Sequence, residues 1–322
     1  MKRSIFILTV LCALGVAVTC FGQSYPQRTI QLVIPMAPGA AMDITGRLFA
    51  EELGKILGQQ VIVINKVGAS TTLGTDFVAK SKKDGYTLLY ANTSGIVYAK
   101  VTTPEIVPYD PFSDLEPLGL HAVLPLAIGV QANSPFKTFA DLVDYARKNP
   151  GKLRASTHGV GTIDYFDLEI VQSLTGAQFT HVPFKGGATL PLLGGHVEVT
   201  FDPFSLISPH VDSGSLRLLV VTKKLPQFPA VPTITELGYK QELHSAWFAL
   251  YGPGQLPEDV KKVLIPAIEK VVKTPELKSK MEKMGIITDY KAPEELRKLM
   301  RDDYEAANAI AVKMDARQKS GQ

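Results

Sequence analysis

Short apolar runs alternate with helix-like segments along most of this chain, and five of the junctions carry Gly-, Ser- or Thr-rich loops. They read Pro35-Met-Ala-Pro-Gly-Ala-Ala-Met-Asp-Ile44, Asn65-Lys-Val-Gly-Ala-Ser-Thr-Thr-Leu-Gly74, Ala91-Asn-Thr-Ser-Gly95, Thr157-His-Gly-Val-Gly-Thr162 and Pro183-Phe-Lys-Gly-Gly-Ala188. A strand, a tight loop and a helix repeated in that order imply parallel strands with helical crossovers, an α/β fold. A loop that feeds a helix also presents unpaired backbone N–H groups at the positive end of the helix dipole, which attracts anions. Several such loops with no catalytic constellation beside them point to binding of a small carboxylate, not to its conversion.

In the first half, Ile30–Ile34 is a buried strand bounded by Pro35. Asp43–Leu57 is a helix with Ile44, Leu48, Leu53 and Ile56 at helical spacing, closed by Gly58. Gln60–Ile64 and Tyr86–Tyr90 are further strands, with a helix over Leu73–Lys80 between them. Val101–Leu118 is a Pro-rich connection, and His121–Gln131 reads as one long strand crossing into a second unit. That unit repeats the alternation through helices at Phe139–Asn149 and Tyr165–Leu174 and strands at Leu153–Ser156, Phe179–Val182, Val197–Phe201 and Leu216–Thr222. Ala246–Tyr251 is the return strand. Three Pro-initiated helices follow, the last with Leu296, Met300, Tyr304, Ala307 and Ala311 on one stripe. The expected fold is therefore two α/β lobes, each a mainly parallel sheet flanked by helices. Residues 24–124 and 246–322 form lobe one and residues 125–245 lobe two. Ligands in such sheets bind beyond the carboxyl ends of the strands, where these loops lie.

Lys2 and Arg3 followed by the apolar stretch Ser4–Thr19 read as a secretory signal peptide, taken here as residues 1–23, with cleavage after Cys20, Gly22 or Gln23. The apolar run is short for a retained anchor, and Ala17 and Thr19 fit a lipidation motif at Cys20 poorly. Cys12 and Cys20, the two cysteines of the chain, both lie in this segment, so the mature protein has neither disulfide nor thiolate ligand, as befits a periplasmic protein. The net charge of +3 is spread evenly, with no basic stripe and interleaved aromatics, which argues against nucleic acid.

Each loop has a structural reading beside the functional one. Gly39 with small Ala40 and Ala41 lets a ligand approach the amides, or serves as an ordinary strand-to-helix turn; Asp43 reads as a dipole-complementing structural residue. Ser70, Thr71 and Thr72, and likewise Thr93 and Ser94, either complete a carboxylate site or cap the next helix. Gly159-Val-Gly161-Thr-Ile-Asp164 half-matches a dinucleotide fingerprint but lacks its third glycine and following acid, so no nicotinamide cofactor is expected. Lys185 is a ligand partner or a solvated charge. Met36, Met42 and Phe184 are apolar cleft walls or packing residues. The six histidines are scattered, with His158 alone inside a candidate loop. No nucleophile elbow, zincin helix or P-loop is present, and neither catalytic residues, cofactor nor metal is expected.

The ordered set Pro-x-x-Pro-Gly-x-x-x-Asp at Pro35–Asp43, Asn-x-x-Gly-Ala at Asn65–Ala69, Asp84-Gly-Tyr-Thr-Leu-Leu89, His181-Val-Pro-Phe-Lys-Gly-Gly187, Val231-Pro-Thr-Ile-Thr-Glu236 and Ala246-Trp-Phe248 resembles the Bug receptors of tripartite tricarboxylate transporters over nearly the whole mature chain. The resemblance implies a two-lobed clamshell that closes on a small organic acid and delivers it to membrane permease subunits. The chain is expected to act as a monomer. It places ligand contacts on Pro38–Ala41, Ala69–Thr71 and Thr93–Ser94 in lobe one. In lobe two it places them on His158, Gly159, Gly161 and Thr162, on Phe184 and Lys185, and on Asp202. This sequence departs from the family pattern at Ala40, Ser70 and Thr71, where glycines are common, and at Tyr165, where histidine is. The identity of the acid is therefore not carried over. The same clamshell docking a membrane histidine kinase is the alternative.

Overall fold

The computed structural model describes residues 25–184 and 187–320, with side chains through residue 312. The expected signal peptide, both cysteines and Lys185 lie outside the described residues.

Two sheets organise the chain. In the first, β1 (Ile30–Ile34), β2 (Val61–Asn65), β3 (Thr87–Asn92), β4 (Leu115–Leu124), β10 (Ala246–Pro253) and β11 (Ile287–Thr288) lie in the order β11-β4-β10-β3-β1-β2. In the second, β5 (Leu126–Gln131), β6 (Leu153–Thr157), β7 (Phe179–Pro183), β8 (Val199–Pro203) and β9 (Leu216–Val221) run β7-β6-β8-β5-β9. Each sheet has the parallel half that the strand–helix alternation predicts, β2-β1-β3 in one and β7-β6-β8 in the other. Each also has an antiparallel half that the alternation does not reveal. β10 runs against both β3 and β4, and β5 against both β8 and β9. These are the strands by which the chain leaves and re-enters a sheet, so no crossover helix imposes a parallel direction on them.

The strand expected over His121–Gln131 is two strands in different sheets, parted at Pro125. Proline carries no N–H for a ladder, and its carbonyl instead accepts from the amide of Phe204 at 2.8 Å.

β1 is apolar on both faces because both are covered. Ile30, Leu32 and Ile34 pack with Phe49 and Leu53 of α1 (Ala41–Leu57) and with Leu264 and Ile268 of α8 (Glu258–Val272). Val33 faces the other way, into a cluster with Val78, Leu89, Ile96 and Trp247. The second sheet packs its core on α4 (Phe139–Lys148) and α5 (Ile163–Thr175). Thr138 opens α4 with a capping box: its hydroxyl accepts from the Asp141 amide at 3.1 Å, and the Asp141 carboxylate accepts from the Thr138 amide at 2.8 Å.

The last helix, α10 (Pro293–Ser320), serves both cores along the stripe expected from the sequence. Leu296 and Met300 are buried with Trp247 and Tyr251 in the first core, whereas Ala307 and Ile310 are buried with Phe166 in the second. Among the described residues no helix is long and apolar enough to cross a membrane.

Candidate binding site

The loops after β1, β2 and β3 leave the carboxyl ends of three neighbouring parallel strands, so they share one edge of the first sheet. α1 starts from Ala40, whose extended backbone carries no side-chain cap, and Gly39 takes φ +85°, a conformation open to glycine at little cost. Asp43, buried in the first turn of α1, fixes this loop. Its carboxylate accepts from the Gly39 amide at 2.9 Å, from Asn65 Nδ2 at 2.7 Å and from Arg47 Nε at 3.0 Å. Asn65 Nδ2 also donates to the Met36 carbonyl at 2.9 Å. Burial acts to raise the Asp43 pKa, but the hydrogen bonds from Arg47, Asn65 and Gly39 outweigh it and hold the carboxyl below its ordinary value. Asp43 is thus a structural residue, matching the reading preferred from sequence.

Among the described residues, the loop after β2 holds the longest run of non-glycine residues at positive φ. Ala69, Ser70 and Thr71 have φ of 44°, 51° and 78°, three successive non-glycine residues in the left-handed region. Such conformations cost about 1–3 kcal/mol each and concentrate at binding sites. Surrounding contacts hold them: Thr72 Oγ1 donates to the Ala69 carbonyl at 2.7 Å, and Thr75 Oγ1 to the Thr71 carbonyl at 3.0 Å. Gly95, opposite, must lack a side chain, since a Cβ there would come within 2.3 Å of Thr71 Oγ1. These contacts anchor the start of α2 (Thr72–Ala79).

After β3, Thr93 turns inward. It is buried, and its hydroxyl accepts from the Trp247 amide at 2.9 Å, tying β3 to β10. Ser94 is exposed and begins a single π-helical turn, Ser94–Tyr98, a local widening often found at functional positions.

In the second sheet the loops after β6, β7 and β8 again share one edge. His158 is held between two buried carboxylates. Its amide donates to Asp164 Oδ2 at 2.5 Å, its Nδ1 lies 3.0 Å from the same oxygen, and its Nε2 is 3.6 Å from Asp202 Oδ1. The Asp164 hydrogen bond raises the His158 pKa against the opposing effect of burial. Asp202 is wholly buried and accepts from the Thr189 amide and hydroxyl at 2.8 and 2.6 Å; burial lifts its pKa to about 6. Asp202 therefore orients the loop from beneath. Thr162, which precedes α5, uses its hydroxyl on the Gly159 carbonyl at 2.6 Å and so does not cap the helix. Phe184 is partly exposed beyond β7, its amide donating to the Thr157 carbonyl at 2.8 Å.

A cavity of about 640 Å³ joins the two edges. Ser70 and Ser94 line it from the first sheet, Gly161 and Thr162 from the second, so four residues singled out from sequence meet across one space. Met36, Pro38, Gly39, Ala40 and Ala41 occupy the neighbouring loop at the first sheet's edge without lining this cavity. Ala69, Thr71, His158, Gly159 and Phe184 likewise flank it, while Thr93 and Asp202 face the interior. The structure adds Tyr98, Thr102, Ile106, Val160 and Phe166 to the walls. Val160 stood between two glycines of a candidate loop and could have been found there. Thr102 and Ile106 sit at the start of a segment that composition marks only as a connection. Among the described residues there is no group of three or more potential metal ligands.

Two mixed α/β sheets with ligand-sized space between their loop edges define a two-lobed solute-binding receptor of the periplasmic type. The chain belongs to the tripartite tricarboxylate transporter family receptors, whose family model matches residues 45–315. It is similar to protein BugT of Bordetella pertussis, 29% identical over 319 residues that cover 98% of this chain and 97% of that protein. Among solved structures it is similar to R. palustris Rpa4515 with adipate, at TM-score 0.74 and 26% identity over 89% of this chain and 98% of that one. It is likewise similar to MatC from Rhodopseudomonas palustris with bound malate, at TM-score 0.71 and 26% identity over 89% of this chain and 100% of that one.

Proposed function

We propose that this protein is exported to the periplasm, captures a small organic carboxylate between its lobes and hands it to the membrane subunits of a tripartite transporter without transforming it. The observation that carries the reading is the meeting of Ser70 and Ser94 with Gly161 and Thr162 across one cavity. Hydroxyls and loop amides are the donors a carboxylate requires, and each charge-assisted hydrogen bond contributes about 1.5–3 kcal/mol. A micromolar complex needs about 8 kcal/mol net, so a few such bonds together with closure suffice despite ordering costs. The bound adipate and malate of the two structural neighbours support an acid as ligand.

Lobe one is residues 24–124 with 246–322 and lobe two residues 125–245. Closure rotates one lobe on the other about the β4–Pro125–β5 passage and the approach to β10. The sequence-derived contacts on the neighbouring loops, from Met36 and the Pro38–Ala41 loop to His158 and Phe184, come nearer the ligand on closure.

A thermal-shift screen of organic acids tests the reading. An acid at a hundredfold its dissociation constant adds roughly 2.7 kcal/mol of stability, and a shift given by sugars or metal ions alone would refute it.

A further inference from the structure

We infer that the acid taken by this site carries a single carboxylate on an apolar body, with no second charged end; this rests on the receptor reading above and narrows it. None of the described residues lining the cavity between the sheets bears a charge. Of its side-chain hydroxyls, those of Thr102, Thr103 and Thr162 donate to the carbonyls of Tyr98, Ala99 and Gly159, so Ser70 and Ser94, together with loop amides, are the donors for one carboxylate. The rest of the wall includes Val101, Ile106, Val160 and Phe166.

Two of these are unusual. Val160 is 65% exposed and Ile106 51% exposed, and they come from loops belonging to opposite sheets. Large aliphatic side chains left in water on both sides of a ligand-sized space mark a surface that an apolar partner covers. A carboxylate placed against them would lose its hydration with no donor in return, a costly transfer. Among the described residues, three cations of the neighbouring loops are already engaged. Arg47 is paired with Asp43, His158 is held by Asp164 and Asp202, and Lys66 Nζ sits 4.0 Å from the centre of the Phe77 ring. One end of the ligand therefore meets hydroxyls and amides, and the other meets aliphatic side chains.

Calorimetric titration of the purified mature protein with acids matched in carbon skeleton tests this: hexanoate against adipate, and benzoate against terephthalate. The monoacid of at least one pair is expected to bind tenfold or more tightly than its diacid. Val160→Lys, at an exposed position that the fold does not depend on, is expected to bring that ratio to within threefold by supplying a cation for the second carboxylate. A diacid that binds as tightly as its monoacid partner in both pairs overturns the inference and leaves the receptor reading intact. So does binding of malate or citrate when all four of these acids fail. If no carboxylate of any kind binds, the receptor reading itself falls, and this inference with it.

Discussion

The Tyr98 ring stacks on Phe166 with ring centres 5.0 Å apart and planes 28° from parallel. Tyr98 ends the π-helical turn after β3 of the first sheet, yet it is buried in the core cluster of the second. It is the bolt between the two halves, and its ring also forms part of the cavity wall. Its hydroxyl is buried without a hydrogen-bond partner among the described residues. Removing the ring should therefore cost far more than removing the hydroxyl. Tyr98→Ala is expected to cost about 3–5 kcal/mol, as for other buried aromatics. Tyr98→Phe is expected to stay within about 1 kcal/mol of the parent or exceed it, because an unsatisfied polar group disappears. Urea unfolding of the three proteins measures both.

The left-handed run at Ala69–Thr71 gives a second expectation. Ser70 is exposed, so replacing it removes little packing. Ser70→Gly relieves a left-handed penalty of about 1–2 kcal/mol, against the glycine entropy cost of about 0.5–1 kcal/mol. The variant should melt slightly higher than the parent while binding its acid more weakly, since it loses a cavity hydroxyl. Thermal melts with and without ligand separate the two effects. A variant that is less stable when empty would show that the loop is not strained.

Asp202 and His158 set a dependence on pH. Burial raises the Asp202 pKa to about 6, above an unfolded value near 3.9. A carboxyl raised on folding binds its proton more tightly in the native state, so its contribution is fully present below the unfolded pKa and is lost as pH climbs through about 6. The His158 pKa is also raised, chiefly by its Asp164 hydrogen bond, so its contribution likewise declines with rising pH, starting from the ordinary histidine range. Asp202→Asn keeps an oxygen acceptor for Thr189 and removes the ionisation. Relative to the parent, it should gain roughly 2 kcal/mol of stability between pH 4 and pH 7. Denaturant midpoints across that range give the slope, and parallel curves for the two proteins would refute the assignment.

Much of this architecture was legible in the sequence because burial leaves a periodic trace. The Ile30–Ile34 run announces a strand covered on both faces, and the Leu296–Ala307 stripe announces a helix packed along one side. What escaped was direction and depth. Nothing in Ala246–Tyr251 says that it runs against both of its neighbours, since an antiparallel strand buried on two faces has the same composition as a parallel one. A hydroxyl residue in a loop reads identically whether it faces a ligand or the interior, so sequence does not separate Ser94 from Thr93, whose hydroxyl accepts from the Trp247 amide. Tyr98 and Phe166 were invisible as partners because their contact joins residues from different sheets.

Asp43 provides the last test, since it separates a residue that shapes the site from one that touches the ligand. Its carboxylate joins the Gly39 amide, Asn65 and Arg47, and so links the loop after β1 to the end of β2. Arg47 is half exposed and can return to water when its partner goes, so the loss falls mainly on the Gly39 amide and Asn65. Asp43→Ala should therefore cost about 1–2 kcal/mol of stability, together with a loss of acid affinity as the Met36–Ala41 loop loosens. The pKa of Asp43 is lowered in the fold even though burial opposes this, because its three hydrogen bonds prevail. Its contribution is accordingly present above the unfolded carboxyl pKa and disappears as pH falls through the lower folded value. Affinity measured from pH 8 down to pH 5 should then show no titration that is lost on removing Asp43. A group in contact with a negatively charged ligand would behave differently, because the approaching anion would raise its pKa, and removing it would strengthen binding at neutral pH. Tighter acid binding by Asp43→Ala at pH 7 would move Asp43 from the scaffold into the site.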